Sequence, residues 1–177
     1  MKVLIISSSP REGGNSDQLA DNLAKGALKA GHQVRKILSN RLRIRGCQEC
    51  YYCHKSGGIC AIKDDMQGIY AAIRDSEVVV FSTPIFYYSV SAQLKLIWDR
   101  TYCDHELFSG KTVHLLSACA APDPAYTATL RDCFERYCSC LKGARIGQVI
   151  IALSTTQKGS VRDNPALQEA YELGKGL

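Results

Sequence analysis

The chain has 177 residues, of which 46% are hydrophobic and 22% charged, and its formal net charge is +5. This length predicts one domain spanning residues 1–177, and the composition excludes a disordered or low-complexity chain. The basic excess is modest and suits an anionic cofactor or an acidic protein partner, so we expect no nucleic-acid partner.

Short apolar runs alternate with segments of helical periodicity along the chain. The predicted strands are residues 2–7, 33–38, 77–82, 112–117 and 147–153. The predicted helices are residues 16–31, 64–75, 91–101, 124–141 and 164–173, the first capped by Asn15 or Ser16. This strict alternation predicts an α/β fold, a flavodoxin-like or Rossmann-like doubly wound parallel sheet with helices on both faces.

Ligands of such sheets bind beyond the carboxyl ends of the strands, so the loops there are the places to look for chemistry. The first loop, residues 7–16, combines hydroxyls, the Arg11 guanidinium, two glycines and a helix N-terminus. These features are typical of a phosphate site. The loop lacks the glycine spacing of nucleoside triphosphate and dinucleotide turns, which favours a monophosphate. A polar surface turn is the alternative.

Two further loops follow predicted strands. The loop at residues 82–91 places three aromatic residues, Phe86, Tyr87 and Tyr88, at a strand end. Their faces suit a flat ring, although one or two of them could instead cover the core or a subunit contact. The loop at residues 117–122 begins at Ser117 and consists of small residues that would let a ring approach the backbone closely.

The nine cysteines are an odd number, which argues against a framework in which every cysteine is paired. The N-terminal apolar run is too short for a signal peptide, and no run is long enough to span a membrane. We therefore expect a cytoplasmic protein with reduced thiols and no membrane association.

Four cysteines share one compact spacing, Cys-x2-Cys-x2-Cys-x6-Cys, at Cys47, Cys50, Cys53 and Cys60. Four thiolates this close together favour a 4Fe-4S cluster. A structural zinc ion and a loop without metal remain alternatives. The other five cysteines are predicted to be buried small hydrophobic residues; they are Cys103, Cys119, Cys133, Cys138 and Cys140.

A basic segment precedes these cysteines: residues 32–48 contain five cationic side chains and no acidic one. They are Arg35, Lys36, Arg41, Arg43 and Arg45. A solvated surface is the simplest interpretation. Docking of an acidic redox partner and compensation of a negatively charged cluster are the alternatives.

Residues 8–16, 83–87, 91–95, 99–100 and 170–175 together resemble the NAD(P)H-dependent FMN reductases, nearly from end to end. The cysteine spacing followed by Asp-Asp-Met at 64–66 is similar to the iron-sulfur flavoproteins within that family. The resemblance implies a flavodoxin-like fold and FMN. It places the FMN phosphate near Ser9, Arg11, Asn15 and Ser16. It places the flavin ring near Thr83, Pro84, Ile85, Phe86 and Tyr87, and we add Ser117 from the loop after the fourth strand.

The leading hypothesis is a flavin-dependent oxidoreductase that passes electrons between FMN, a 4Fe-4S cluster and either NAD(P)H or a redox partner. The partner would be ferredoxin-like or a small-molecule acceptor, and no catalytic acid or base is assigned. A cluster-free NAD(P)H-dependent FMN or quinone reductase is one alternative. A non-enzymatic electron carrier or thiol redox sensor is another. The resemblance also implies a homodimer or homotetramer.

Overall fold

The computed structural model describes all residues from 1 to 177. Its centre is a five-stranded parallel sheet with the strand order β2-β1-β3-β4-β5. The strands are β1 (Lys2–Ser7), β2 (Gln33–Leu38), β3 (Val78–Pro84), β4 (Thr112–Ala118) and β5 (Arg145–Ala152). The predicted flavodoxin-like α/β sheet is therefore confirmed.

Six α-helices surround the sheet. They are α1 (Asn15–Lys29), α2 (Tyr52–Lys55), α3 (Met66–Arg74), α4 (Ala92–Thr101), α5 (Ala128–Ser139) and α6 (Pro165–Lys175). Three short 3-10 turns lie at Ser39–Arg41, Pro124–Thr127 and Ser160–Asp163. None of the helices is long and apolar enough to cross a membrane.

Alternation of side chains along β1 divides the core into two clusters, because successive residues of a strand point to opposite faces. Leu4 and Ile6 pack with residues of α3, α4 and α5 on one face. Val3 and Ile5 pack with residues of α1 and α6 on the other. Since both faces are covered, the central strands are mostly apolar, as is typical of a parallel sheet.

Helices α1 and α6 are in contact through glycines. A Cβ atom on Gly26 would lie 2.0 Å from the Tyr171 carbonyl oxygen, and one on Gly174 would lie 2.1 Å from the Leu23 carbonyl oxygen. Neither site has room for a methyl group, so the two helix backbones pack directly against each other. This contact holds the C-terminal half of α1 against α6.

The predicted elements are all present; several of their ends differ by one or two residues, and three larger differences follow. The N-cap of α1 is Gly14 and not Asn15 or Ser16, because the helix already begins at Asn15. The helix predicted over 124–141 is divided into a 3-10 turn and α5, since Asp123 caps the turn by accepting a hydrogen bond from the Ala125 N–H. The short helix α2 inside the cysteine-rich loop was not predicted.

Candidate functional site

The N-terminus of α1 is open to an anion. Its N-cap, Gly14, makes no side-chain capping bond, so the first N–H groups of the helix have no protein partner at their cap. These groups also carry the positive end of the helix dipole. A small cavity of about 30 Å³ lies at this point, between the ends of β1, β3, β4 and β5. Its lining consists of Ser9, Pro10, Arg11, Asn15, Ser16, Pro84, Phe86, Ala118 and Thr155.

The loop before α1 is tightly folded around Ser9. The Ser9 hydroxyl donates a hydrogen bond to the Arg11 carbonyl oxygen at 2.7 Å and accepts one from the Arg11 N–H at 3.2 Å. A Cβ atom on Gly14 would lie 2.7 Å from Ser9 Oγ and 2.9 Å from the Arg11 carbonyl oxygen. The absence of a side chain at Gly14 therefore lets the loop close over the helix end.

Asn15 lines the cavity, but its side chain is hydrogen-bonded to the loop after β5. Its amide donates to the Gln157 carbonyl at 2.8 Å, and its Oδ1 accepts from the Gly159 N–H at 2.9 Å. These bonds join the first loop to the loop after β5. Thr155 of that second loop lines the cavity and is buried. The Ser154-Thr155-Thr156 run at a strand end was the sequence signal for it.

A partly buried ion pair lies under the same helix end. Asp17 accepts hydrogen bonds from Ser7 Oγ at 2.7 Å and from the Gly13 N–H at 2.9 Å, and Lys36 Nζ lies 2.7 Å away. Burial alone would raise the pKa of the Asp17 carboxyl, but the bonds from Lys36, Ser7 and Gly13 lower it overall. The carboxylate is therefore charged and compensated by Lys36.

The loop after β3 presents aromatic side chains to solvent. The Phe86 and Ser89 backbones bond to each other across a tight turn, and both residues between them, Tyr87 and Tyr88, have positive φ angles of 49° and 65°. Such angles are costly for large side chains and cluster at ligand-binding loops. Tyr87 is 99% exposed, and Tyr88 stacks on Tyr126 with ring centroids 6.1 Å apart.

Thr83 and Ser117 hold this loop from beneath. Both are fully buried. Thr83 Oγ1 accepts a hydrogen bond from the Ser91 N–H at 3.0 Å, and Ser117 Oγ donates to the Thr83 carbonyl at 2.7 Å. The Ile85 N–H donates to the Ala118 carbonyl at 3.1 Å, which ties the loop to the end of β4. These side chains support the site, and the aromatic residues beyond them form its surface.

The four cysteines of the predicted cluster motif, together with Cys103, surround one small cavity of about 50 Å³. Cys47 and Cys50 are exposed, Cys53 and Cys60 half-buried, and all four are free thiols. The donor set therefore fits a group held by several thiolates. No three His, Cys, Asp or Glu side chains are close enough together to hold a single metal ion.

The backbone between the first cysteines is strained. Glu49 and Tyr51 have positive φ angles of 51° and 54°. The Glu49 N–H lies 3.5 Å from the Cys47 sulfur and donates to it. Positive φ angles cost free energy for residues other than glycine. The two left-handed residues flank Cys50 and therefore lie within the segment that carries the thiols.

Comparison with known proteins identifies the family. The family model described as NADPH-dependent FMN reductase matches residues 1–157. The chain belongs to this family. It is 39% identical over 101 residues to an iron-sulfur flavoprotein of Methanocaldococcus jannaschii, covering 56% of this chain and 50% of that protein. It is 35% identical over 112 residues to one of Archaeoglobus fulgidus, covering 60% and 55% of the two chains.

The chain spans about half the length of the curated relatives it matches. Among solved structures, the NAD(P)H:quinone oxidoreductase of Methanothermobacter marburgensis superposes with a TM-score of 0.81 at 17% identity. The match covers 99% of this chain and 95% of that one. At this identity the likeness concerns the fold alone, and it agrees with the flavodoxin-like sheet of the FMN reductase family.

In this FMN reductase family member, the five remaining cysteines do not behave alike. Cys103, Cys119 and Cys138 are buried, as predicted. Cys140 is exposed, so the prediction was wrong there, because the residue lies just past the end of α5. Cys133 is half-buried. Cys103 also lines the cavity that the four motif cysteines surround. Because it is far from the motif in sequence, the cysteine spacing did not indicate this.

The basic segment is partly neutralised by acidic residues from elsewhere in the chain. Lys36 pairs with Asp17 and Asp21, and Arg41 pairs with Glu12. These acidic partners lie outside the segment, in the first loop and in α1. Its remaining arginines are exposed; they are Arg35, Arg43 and Arg45.

Proposed function

We propose that this chain is an FMN-dependent oxidoreductase whose Cys47–Cys60 loop holds a 4Fe-4S cluster and which exchanges electrons with NAD(P)H or a redox partner. The observation that carries the proposal is that the four thiols line one cavity, in a fold whose strand ends form a separate small cavity at the N-terminus of α1. Residues 1–177 act as one domain in this proposal.

The FMN phosphate would be held at the N-terminus of α1. Ser9, Arg11 and Ser16 line the cavity there, and the uncapped N–H groups of Asn15 and Ser16 supply donors. Lys158 adds a cation near the loop, since its Cε lies 3.4 Å from where a Cβ on Gly13 would be. A guanidinium and helix N–H groups suit a dianionic phosphate.

The flavin ring would lie against the loops after β3 and β4. Pro84, Phe86 and Ala118 line the same cavity as the phosphate residues. Ile85 and Tyr87 flank them, while Thr83 and Ser117 hold the loop from below. When bound, FMN supplies two-electron chemistry and a 4Fe-4S cluster one-electron chemistry. The protein contributes binding and orientation.

The same proposal includes a ferredoxin-like or small-molecule acceptor, a homodimer or homotetramer, and a cytoplasmic setting. The fully exposed Tyr87 supports burial of this loop in an assembly, because aromatic residues favour interfaces. Nine free cysteines without a disulfide suit a reducing compartment.

A second function, a cluster-free NAD(P)H-dependent FMN or quinone reductase, is favoured by one observation. No three candidate ligands are arranged to hold a metal ion. In that case the loop thiols would serve structure or redox sensing.

Iron, acid-labile sulfide and FMN are measured after anaerobic purification. The proposal expects about four irons and four sulfides per chain with one FMN. Bound flavin without iron would reject the cluster and support the cluster-free reductase. NAD(P)H oxidation is then followed with a quinone or free flavin as acceptor, and no turnover with either nucleotide would exclude both reductase versions.

A further inference from the structure

Arg100 is a buried cation at the base of the cysteine-rich loop. It lies in α4, its side chain is 1% exposed, and it forms an ion pair with the 8% exposed Asp64. Its Nη1 donates to Asp64 Oδ2 at 2.8 Å, and its Nη2 donates to Asp64 Oδ1 at 3.2 Å. Burial alone would lower the pKa of Arg100, but Asp64 and nearby groups raise it overall, so the guanidinium is charged.

The guanidinium contacts the chain on both sides of the cysteines. Nη1 donates to the carbonyl oxygen of Arg45 at 2.9 Å, two residues before Cys47. Nη2 donates to the carbonyl oxygen of Ile62 at 3.3 Å, two residues after Cys60. One side chain therefore joins the two ends of the loop that carries all four thiols.

Asp64 reinforces the same closure. Its Oδ2 accepts a hydrogen bond from the Arg45 N–H at 2.9 Å, so the Arg100–Asp64 pair binds both the N–H and the carbonyl of Arg45. One residue further along, Asp65 accepts from the Arg43 N–H at 2.7 Å. Tyr70 in α3 anchors the backbone of Arg100, since its hydroxyl donates to the Arg100 carbonyl at 2.8 Å.

One N–H donor of the guanidinium has no hydrogen-bond partner. Arg100 Nε is buried and has no hydrogen-bond partner in the protein. Arg100 also lines the cavity that the four thiols surround. A buried N–H without a partner costs free energy, and a positive charge beside several thiolates lowers the cost of gathering their negative charge. Both features suit an anionic group held by those thiols.

We propose that Arg100 is the positioning residue of the cysteine loop: its planar fork closes the loop at Arg45 and Ile62, and its charge compensates an anionic group bound by the thiols. The first part stands on the contacts of the protein alone. The second part rests on the proposed function, because it requires a cluster or another thiolate-bound group.

Two substitutions separate the two parts. Arg100→Met removes both fork and charge, whereas Arg100→Lys keeps the charge and loses the planar fork. Arg136→Met is the matched control, because Arg136 also makes a two-bond contact with an aspartate, Asp132, but is exposed on α5. Bound FMN and circular dichroism identify the variants that fold.

Millisecond hydrogen–deuterium exchange of the metal-free FMN protein measures loop closure. We expect peptides covering residues 43–60 to exchange about tenfold faster in both Arg100 variants, while the α5 peptide keeps its wild-type rate. Arg136→Met should exchange like the wild type. Unchanged exchange of residues 43–60 in a folded Arg100 variant, or equal acceleration of the α5 peptide, would overturn the positioning role. If Arg100→Met does not fold, Arg100→Lys alone decides this point.

The midpoint potential of the reconstituted cluster measures the charge. We expect a more negative potential in Arg100→Met and one near the wild-type value in Arg100→Lys, since a nearby cation stabilises the reduced, more negative cluster. Equal potentials in wild type and Arg100→Met would refute the charge part. If the wild-type protein binds no iron, the proposed cluster and the charge part fail, and the exchange experiment still decides loop closure.

Discussion

Lys36 Nζ lies 2.7 Å from Asp17 Oδ1 directly beneath the predicted phosphate loop. Lys36 reaches this position from β2, the edge strand next to β1, and also pairs with Asp21 at 2.5 Å. Asp17 is in the first turn of α1, where a carboxylate is stabilised by the helix dipole but would repel a bound phosphate. The lysine removes most of that repulsion.

Replacing Lys36 with Met should therefore weaken FMN binding by about tenfold, since Asp17 would then face the phosphate unpaired. Quenching of FMN fluorescence on titration with apoprotein measures the affinity. Lys2→Met is the matched control, because Lys2 forms a similar pair with Asp75 at 2.6 Å at the amino end of the sheet. An affinity equal to that of the control would show that the ion pair does not act on the phosphate.

Gly14→Ala should weaken FMN binding by at least about tenfold. Ala tolerates the backbone angles of Gly14, φ −65° and ψ 169°. Its methyl group would meet Ser9 Oγ at 2.7 Å and the Arg11 carbonyl oxygen at 2.9 Å, so the loop would have to open. Gly68→Ala serves as control, as a Cβ there meets nothing within 4 Å. Wild-type affinity in Gly14→Ala would place the phosphate elsewhere.

Cys60→Ser should reduce the iron recovered after anaerobic reconstitution from about four per chain to well under half of that, because a 4Fe-4S cluster needs four ligands. Cys140→Ser should retain the wild-type iron content, since Cys140 is exposed and outside the thiol-lined cavity. Iron and sulfide assays and the visible absorption spectrum report the outcome. Equal iron in the two variants would remove Cys60 from the ligand set.

His114 should make the fold less stable in mild acid. It is 5% exposed, its Nδ1 accepts a hydrogen bond from the Gln148 N–H at 2.9 Å, and burial lowers its pKa to about 4. The unfolded chain binds this proton near pH 6.5. The free energy of unfolding should thus fall as the pH drops from about 6.5 to 4, by up to about 3 kcal/mol.

Urea denaturation at several pH values measures this loss. In His114→Asn, whose side-chain oxygen retains an acceptor for Gln148, the slope between pH 6.5 and 4 should largely disappear. His32→Asn should keep the wild-type slope, since His114 is intact there. A wild-type slope in His114→Asn would assign the acid sensitivity to other groups.

The sequence by itself determined the order of elements and the cysteine spacing, and it predicted a phosphate loop at residues 7–16. Each of these features depends on a short stretch of chain. Apolar runs indicate the strands, residues 7–16 form the loop, and Cys47 to Cys60 contain the four thiols. Periodicity and spacing report local structure directly. The strands are expected to be parallel because a helix connects each strand to the next.

Only the tertiary structure decided which distant groups meet. The side chain of Asn15 bonds to the loop after β5, Lys36 neutralises Asp17, and Cys103 joins the motif cysteines around one cavity. Arg100 closes a loop whose nearer end lies 38 residues away in the chain. Such contacts depend on how α4, β2 and β5 pack against the sheet, and packing between elements leaves no periodic mark in the sequence.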